Sequence, residues 1–577
     1  MKKLFKYYTI GLMTILSVSC QDQLRIDERQ TSFDVNYFTY SRYQLTTAIV
    51  NISKNYGHSL LNERDGQAAL YFMDCYSGDQ ISSYYSDFQS NWDMEGSNPY
   101  TNEFRTLAAI KELATNEGNM ATVAAADILK CFVGGFLTEK YGDIPFSEAV
   151  EGRDGNLFPK FDSQKEVYEA IFKMLDEAVA TLSEAGSKGL PADHDLLFSG
   201  DKSKWIKFAN SLKFRLMVHS YEAFKSEGVD LSAQMQAIAS GNNFMSSVDD
   251  NASITFPGTE EKDSWYLQTQ WGTGNNFTEQ KPTKYLIDQL RAFDDPRMYV
   301  IFAPVLSPLS NKADTVQEDV MINGYTYGIT YYPAADANVE ASWLVATGKD
   351  LNGNTIEVPY EMDARWLGTP TPATVQNIYG GDGLPGTNGF YDNRRLSGFS
   401  QLIAQTNDDR LRAVLMESSE MMFLLAEARK NGWISSGSVQ EHYQNGIRLS
   451  FERWQIVDGS KPVSHEGAEE VVEDFDAYYS MPGVALDGSG ADLDKIALQK
   501  WLSLLVTNHA EAFTELRRTQ KPDFVYEVAP SYSPYSYPLR YTYPLDEESN
   551  NKENYNAAVA SLDGGKDLPS ARMWILK

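Results

Sequence analysis

The side chains best suited to chemistry in this chain are aromatic rings set in polar stretches. Tyr84, Tyr85 and Trp92 fall in one such stretch, from Ile81 to Pro99. Trp265, Tyr266 and Trp271 fall in a second, with Asn275 and Asn276 beside them. Trp343, Trp366 and Tyr379 lie in a third. A flat ring offers an apolar face to the C–H face of a sugar, while nearby amides and carboxylates bind hydroxyls. The same surface could grip a peptide. Any one of these rings, taken singly, is better explained as pinning its loop onto the body of the protein.

Catalytic signatures fail one by one. The six histidines (His58, His194, His219, His442, His465 and His509) are scattered, without HExxH or paired Cys/His spacing, so no zinc site is indicated. His219 and His509 lie in apolar helical segments and read as satisfied interior histidines. No GxSxG elbow is present. Gly381 to Gly386 matches a dinucleotide fingerprint by letter, but no strand precedes it and Pro385 sits where the helix would begin. Asp350 to Glu361 imitates a calcium loop, yet its sixth position is Thr355 in place of glycine and Pro359 intrudes. Carboxylate pairs are too abundant at this charge to argue glycosidase chemistry. No catalytic residue, metal ligand or cofactor is assigned.

The elements that must position the rings are mostly helices. In Ala121–Tyr141, Ile128, Leu129, Phe132, Val133, Phe136 and Leu137 recur at helical spacing. Gly134 and Gly135 interrupt that helix and predict a neighbour packed close. Ser163 with Glu166 three residues on forms a capping box, and Val167, Ile171, Leu175, Ala178 and Leu182 continue its stripe. Further helices are predicted over Ser203–Tyr221, Glu417–Asn431 and Ile496–Arg518, with a short one near Asn554–Ala560. Long helices in antiparallel pairs predict stacked helical hairpins of about 34 residues. Between about Asn251 and Phe399 the chain turns rich in Gly, Asn, Thr and Pro. Tyr325–Tyr331 and Thr355–Val358 read as short strands there, with a hairpin turn at Asn352-Gly353-Asn354. The tail from Pro522 is Tyr- and Pro-rich coil.

The N-terminus carries a secretory leader: Lys2, Lys3 and Lys6, then an apolar run from Tyr7 to Val18, then Ser19 and Cys20. The run is shorter than the ~20 residues a spanning helix needs. A cysteine directly after the small residue predicts a lipoprotein, acylated at Cys20 and held to a membrane by that lipid. An ordinary leader with an incidental cysteine is the alternative. No second long apolar segment is apparent, so the mature chain reads as a soluble body. Removing the leader takes the net charge from −29 to −32. Such an acidic body repels nucleic-acid phosphates and anionic membrane faces. Three cysteines exclude a disulfide-stapled scaffold, and Cys75 and Cys131 read as core. The organisation expected is leader 1–19, lipidated tether 20–36, helical body 37–250, loop-rich ligand side 251–410, returning helical pairs 411–520 and C-terminal coil 521–577.

Several segments together resemble the SusD/RagB family of nutrient-binding outer-membrane lipoproteins of Bacteroidota. They are Phe136–Ala149 (Phe-Leu-Thr-Glu-Lys-Tyr-Gly-Asp-Ile-Pro-Phe-Ser-Glu-Ala), Val167-Tyr168 leading to Leu175–Ala178, Gly200–Trp205, Lys207–Leu212 with Arg215, and Asp294-Asp-Pro-Arg297. Leu424–Ala428 with Gly432-Trp433, Gln499–Trp501, Glu511–Phe513, Arg517–Thr519 and Tyr543-Pro544 complete the series in the family's order. The resemblance implies a mainly α fold, a tetratricopeptide-like helical-hairpin solenoid with an irregular loop-rich part carrying a few short strands. It implies a non-catalytic surface protein that delivers oligosaccharide to a SusC-like TonB-dependent transporter as a hinged lid. Oligopeptide binding of the RagB type is the alternative within the family, and a surface glycoside hydrolase the alternative outside it. The family's variable ligand loops correspond in position to the Tyr84/Tyr85/Trp92 and Trp265/Tyr266/Trp271/Asn275 clusters.

Overall fold

The computed structural model describes residues 40–58, 71–74, 92, 97–184, 186, 188–257, 280–322, 325–336, 339, 341–349, 355–370, 379, 393–401, 410–456, 475–522 and 539–577. Helices dominate it. The first five, α1 (Ser41–His58), α2 (Arg105–Asn116), α3 (Met120–Tyr141), α4 (Gln164–Ser183) and α5 (Lys202–Ser226), pack each against the next, and α6 (Ser232–Gly241) follows. α4 begins at the predicted capping box: the Ser163 hydroxyl accepts from the Glu166 amide, and the Glu166 carboxylate accepts from the Ser163 amide. α3 is long and apolar enough to cross a membrane, contrary to the expectation of no long apolar segment beyond the leader. It lies at the centre of the fold, with Ile128, Leu129, Val133 and Leu137 fully covered. A Cβ on Gly135 would approach Leu216 of α5 to 3.2 Å, and one on Gly134 would strike the Phe146 ring at 2.4 Å. Close packing is therefore what the two glycines permit.

The body resumes with α9 (Ser418–Lys430), α10 (Val439–Arg453), α11 (Phe475–Tyr479), α12 (Asp492–Ser503) and α13 (His509–Thr519). α9 packs on α5, α10 and α12, so the late helices complete the stack begun by the early ones. The single helix expected over Ile496–Arg518 is two. Val506 takes a left-handed φ of 62°, and Asn508 caps α13 by accepting from the Glu511 amide. The C-terminal stretch adds α14 (Leu545–Asn550) and α15 (Lys552–Ser561).

The loop-rich part leaves and re-enters the body at one ladder: β2 (Ala252–Ile254) pairs antiparallel with β11 (Ala413–Met416). Within it lie α7 (Lys284–Ala292), α8 (Pro296–Ile301) and short strands. β6 (Val316–Ile322) and β7 (Tyr325–Pro333) form an antiparallel hairpin in register from Val316↔Tyr331 to Ile322↔Tyr325, and β5 (Leu309–Ser310) adds parallel to β7. β8 (Val345–Lys349) pairs with β9 (Thr355–Pro359), closing the hairpin expected around residue 353, whose turn lies outside the described residues. Among the described residues, β1 (Phe72–Asp74) pairs with β3 (Gln280–Pro282), and β4 (Phe302–Ala303) with β10 (Gly398–Phe399). A large apolar core runs through the helices into α7–α8 and the β6–β7 hairpin. A smaller one, around Val305, Leu309, Tyr360 and Leu367, supports the rest of the loop-rich part.

Candidate functional site

The Asp294-Asp295-Pro296-Arg297 run organises a surface cleft. Asp295 caps α8 by accepting from the Arg297 amide, and Pro296 takes the first helical position, where its missing N–H costs nothing. The Arg297 guanidinium, fully buried, holds Asp295 in two hydrogen bonds and reaches Ser450, Tyr478 and Gln499 on the returning helices. Burial works against its charge, but Asp295 and Tyr478 raise its pKa above the usual arginine value. The α7–α8 turn is thereby bolted to α10, α11 and α12. Asp294, one residue earlier, takes a left-handed φ of 43° and points outward. At the far end of the region, Gly368 crosses so close to α7 that a Cβ would lie 2.2 Å from the Thr283 carbonyl oxygen.

The cleft lies between that turn, the β6 face and residues 365–366. It holds about 270 Å³ and is lined by Arg291, Asp294, Met298, Tyr299, Val320, Ile322, Arg365 and Trp366. That is near the low end of small-molecule sites, and an apolar lining with a few polar groups is their usual composition. Tyr299 and Trp366 meet edge to face, centroids 5.6 Å apart, and are only 7% and 6% exposed. Each rim guanidinium is matched by a glutamate: Arg291 donates to both oxygens of Glu361 at 2.8 and 2.7 Å, and Arg365 donates to Glu318 at 2.8 Å. The Glu361 carboxyl is held below its ordinary pKa, chiefly by the Arg291 hydrogen bonds. Asp294 accepts from the Tyr299 hydroxyl, and among the described residues no cation pairs with it.

A second cluster is buried in the helical body. His219 of α5 lies 2.6 Å from Glu139 through Nδ1, and through Nε2 it lies 3.1 Å from Glu511 and 2.9 Å from Glu515. Arg215 donates to both oxygens of Glu420, and Lys500 spans Glu511 and Glu515 at 3.1 Å each. Arg518 joins Glu427 to Glu515. Burial opposes charge on His219, but Glu139 and Glu511 outweigh it and hold its pKa well above the ordinary value. Burial likewise pushes Glu511 up, and His219, Lys500 and Arg215 pull it below its ordinary range. Glu420 is pushed up to about 6 by burial, against the pull of Arg215. Ligand atoms of Glu139, His219 and Glu511 lie within 4.8 Å of one another, a spacing a metal could use. The donor set argues otherwise. An imidazolium facing carboxylates on both nitrogens has no lone pair to give, and Lys500 and Arg215 already bring positive charge to the Glu511 carboxylate. The cluster is an ionic joint between α3, α5, α9, α12 and α13.

Trp92 corrects the sequence reading. It is 5% exposed, boxed by Tyr100, Tyr141, Phe161 and Tyr543, and its Nε1 donates to Glu547. A ring so enclosed has no face for a ligand; it pins its segment to α3 and the C-terminal stretch. Tyr84, Tyr85, Trp265, Tyr266, Trp271, Asn275 and Cys20 lie outside the described residues. Of the third aromatic group, Trp366 reaches the cleft, whereas Tyr379 is buried against Tyr360. Nothing in the sequence marks Arg291, Asp294, Tyr299 or Arg365 as site residues. The DDPR run was visible as a motif, but nothing local marks a residue whose partner comes from another strand or turn.

Two family models match the chain. One, described as starch-binding and associating with the outer membrane, covers residues 36–351, and the other, described as SusD and RagB outer-membrane lipoprotein, covers residues 371–576. No curated protein sequence matches significantly. Among solved structures, a SusD homologue from Bacteroides fragilis is 19% identical, with a TM-score of 0.68 over 93% of this chain and 100% of that one. A protein titled chitin-binding is 23% identical, with a TM-score of 0.66 over 93% and 99%. A chitin-binding SusD homologue from Flavobacterium johnsoniae is 17% identical, with a TM-score of 0.63 over 93% and 98%. With the helical stack, the ladder that closes its loop-rich part and these matches together, the chain belongs to the SusD-like family of outer-membrane nutrient-binding proteins.

Proposed function

We propose that the chain is a non-catalytic, lipid-anchored cell-surface protein that captures oligosaccharide and delivers it to a SusC-like TonB-dependent transporter as a hinged lid. The observation that carries this reading is the pair of family matches, which between them span residues 36–351 and 371–576. The leader and Cys20 supply the anchor expected of such a protein. Two structural relatives described as chitin-binding favour a glycan over a peptide. The cleft beside α8 is one contact region, and Tyr84, Tyr85, Trp265, Tyr266, Trp271 and Asn275 are the further ligand contacts expected from their polar, aromatic-rich segments. Lid closure would have to favour the loaded state through contacts made only when ligand is present.

Isothermal titration of the mature protein with a glycan panel and a peptide pool tests the reading, alongside co-purification with a transporter barrel from detergent-solubilised membranes. Oligosaccharide binding without turnover, together with barrel recovery, is expected. Tyr85→Ala and Trp271→Ala should each weaken binding by about 2- to 12-fold, the range set by single aromatic contacts. Cleavage of the bound glycan, or binding of peptides alone, would overturn it.

A further inference from the structure

We infer that the cleft between α8 and β6 selects sugar units without negative charge, and that the Asp294 carboxylate sets this selectivity. The inference rests on the glycan-binding reading above and deepens it.

Two guanidiniums at the rim would ordinarily invite an anionic sugar, since arginine is the preferred partner of carboxylate and sulfate groups. Here each already faces a carboxylate of the chain itself. Arg291 is held in a two-point bond by Glu361, and Arg365 is engaged by Glu318. A uronate would meet guanidiniums whose charge a glutamate already neutralises. What remains is Asp294, an exposed acceptor with its Tyr299 partner on one oxygen and no cation among the described residues. With Glu318 and Glu361 included, the rim carries one more negative charge than positive, within a chain of net charge −29. A carboxylate in that setting accepts hydrogen bonds from hydroxyl, amide or ammonium groups and repels another carboxylate. The left-handed backbone at Asp294 explains an Asp or Asn there, but not the charge. Asn would satisfy the backbone equally, which makes the charge separable from the fold.

The test uses the mature full-length protein and its D294N variant. N-acetylglucosamine oligomers and malto-oligosaccharides serve as uncharged probes, with oligogalacturonates of matched length as the anionic probe. Titration calorimetry measures affinity, and hydrogen exchange of residues 291–299 and 316–322 reports whether the ligand sits in this cleft. Wild type should bind at least one uncharged probe with protection at these residues, and oligogalacturonate about 10-fold more weakly or not at all. D294N should melt at the wild-type temperature, lose about 10-fold in affinity for the uncharged probe, and narrow the gap to the anionic one, as expected when a charged acceptor becomes neutral. Protection at the cleft with oligogalacturonate bound as tightly as the uncharged probes, or with affinities unchanged in D294N, overturns the selectivity while leaving the site in place. Protection elsewhere, or no binding of any uncharged probe, overturns the reading of the cleft and the selectivity with it.

Discussion

Replacing His219 with Gln tests what holds the helical body together. Five buried or nearly buried carboxylates, Glu139, Glu420, Glu427, Glu511 and Glu515, meet three permanent cations, Arg215, Lys500 and Arg518. An imidazolium at His219 leaves the cluster one charge short of balance; a neutral side chain leaves it two short. Gln carries no charge and can donate at one end only, so either Glu139 is left with the Tyr168 hydroxyl alone or Glu511 with Lys500 and Arg215. Removing one member of a buried ion pair costs about 3–5 kcal/mol. Unfolding entropy of about 2.1 cal/mol/K per residue gives about 1.2 kcal/mol/K for 577 residues, so melting should fall by about 2.5–4 °C. The pH dependence carries a sign. The folded pKa of His219 is raised, so its stabilisation is complete below the unfolded value of about 6.5 and fades as pH rises through the folded value. Glu511 and Glu515 are lowered, so theirs is present above about 4.3 and fades on acidification. Calorimetric melts across pH should therefore show the widest gap between wild type and H219Q from about pH 4.5 to 6.5, narrowing in alkali. A variant melting within about 1 °C of wild type near pH 6, or a gap that widens in alkali, would refute the ionic-joint account.

Trp92→Ala should lower stability by about 3–5 kcal/mol while leaving oligosaccharide affinity within about twofold, because its ring belongs to the core. Paired melts and titrations decide it, and lost affinity at unchanged stability would return Trp92 to the ligand surface. Cys20→Ala should move the protein from the membrane fraction to the soluble fraction, followed by immunoblot after fractionation, since no other anchor is proposed for the mature chain. Arg297→Met should destabilise by about 3–5 kcal/mol by leaving Asp295 buried and unpaired, and should also weaken ligand binding at the cleft, measured by the same melts and titrations.

What the sequence disclosed follows the range of the forces involved. The capping box at Ser163 and the apolar stripes of α3, α4 and α5 are local patterns, and each became the element expected of it. The break between α12 and α13 was hidden because the apolar period runs on through Leu504, Leu505 and Val506. Only the cap at Asn508 marks it. Trp92 misled because its neighbours in sequence are polar, whereas its neighbours in space are Tyr141 and Tyr543. His219 read as an interior histidine, and it is one. Its charge was not legible, because Glu139, Glu511 and Glu515 come from helices that are 80 or more residues away.

The two halves of the molecule place their polar groups by opposite rules. In the ionic joint of the helical body, the charges are buried and cross-paired, so each depends on several helices and none can change alone without disturbing its partners. In the loop-rich part, joined to the body by the β2–β11 ladder and the Arg297 anchor, the rim charges are paired locally and sit at the surface. Surface pairs of that kind are worth about 0–1 kcal/mol, so exchanging them alters what the cleft attracts at little cost to folding. Arg297 is where the two rules meet: its backbone belongs to the turn that presents Asp294, and its guanidinium is spent on Gln499, Tyr478 and Ser450. A rigid body with an anchored but locally balanced binding side can change its ligand without rebuilding its core.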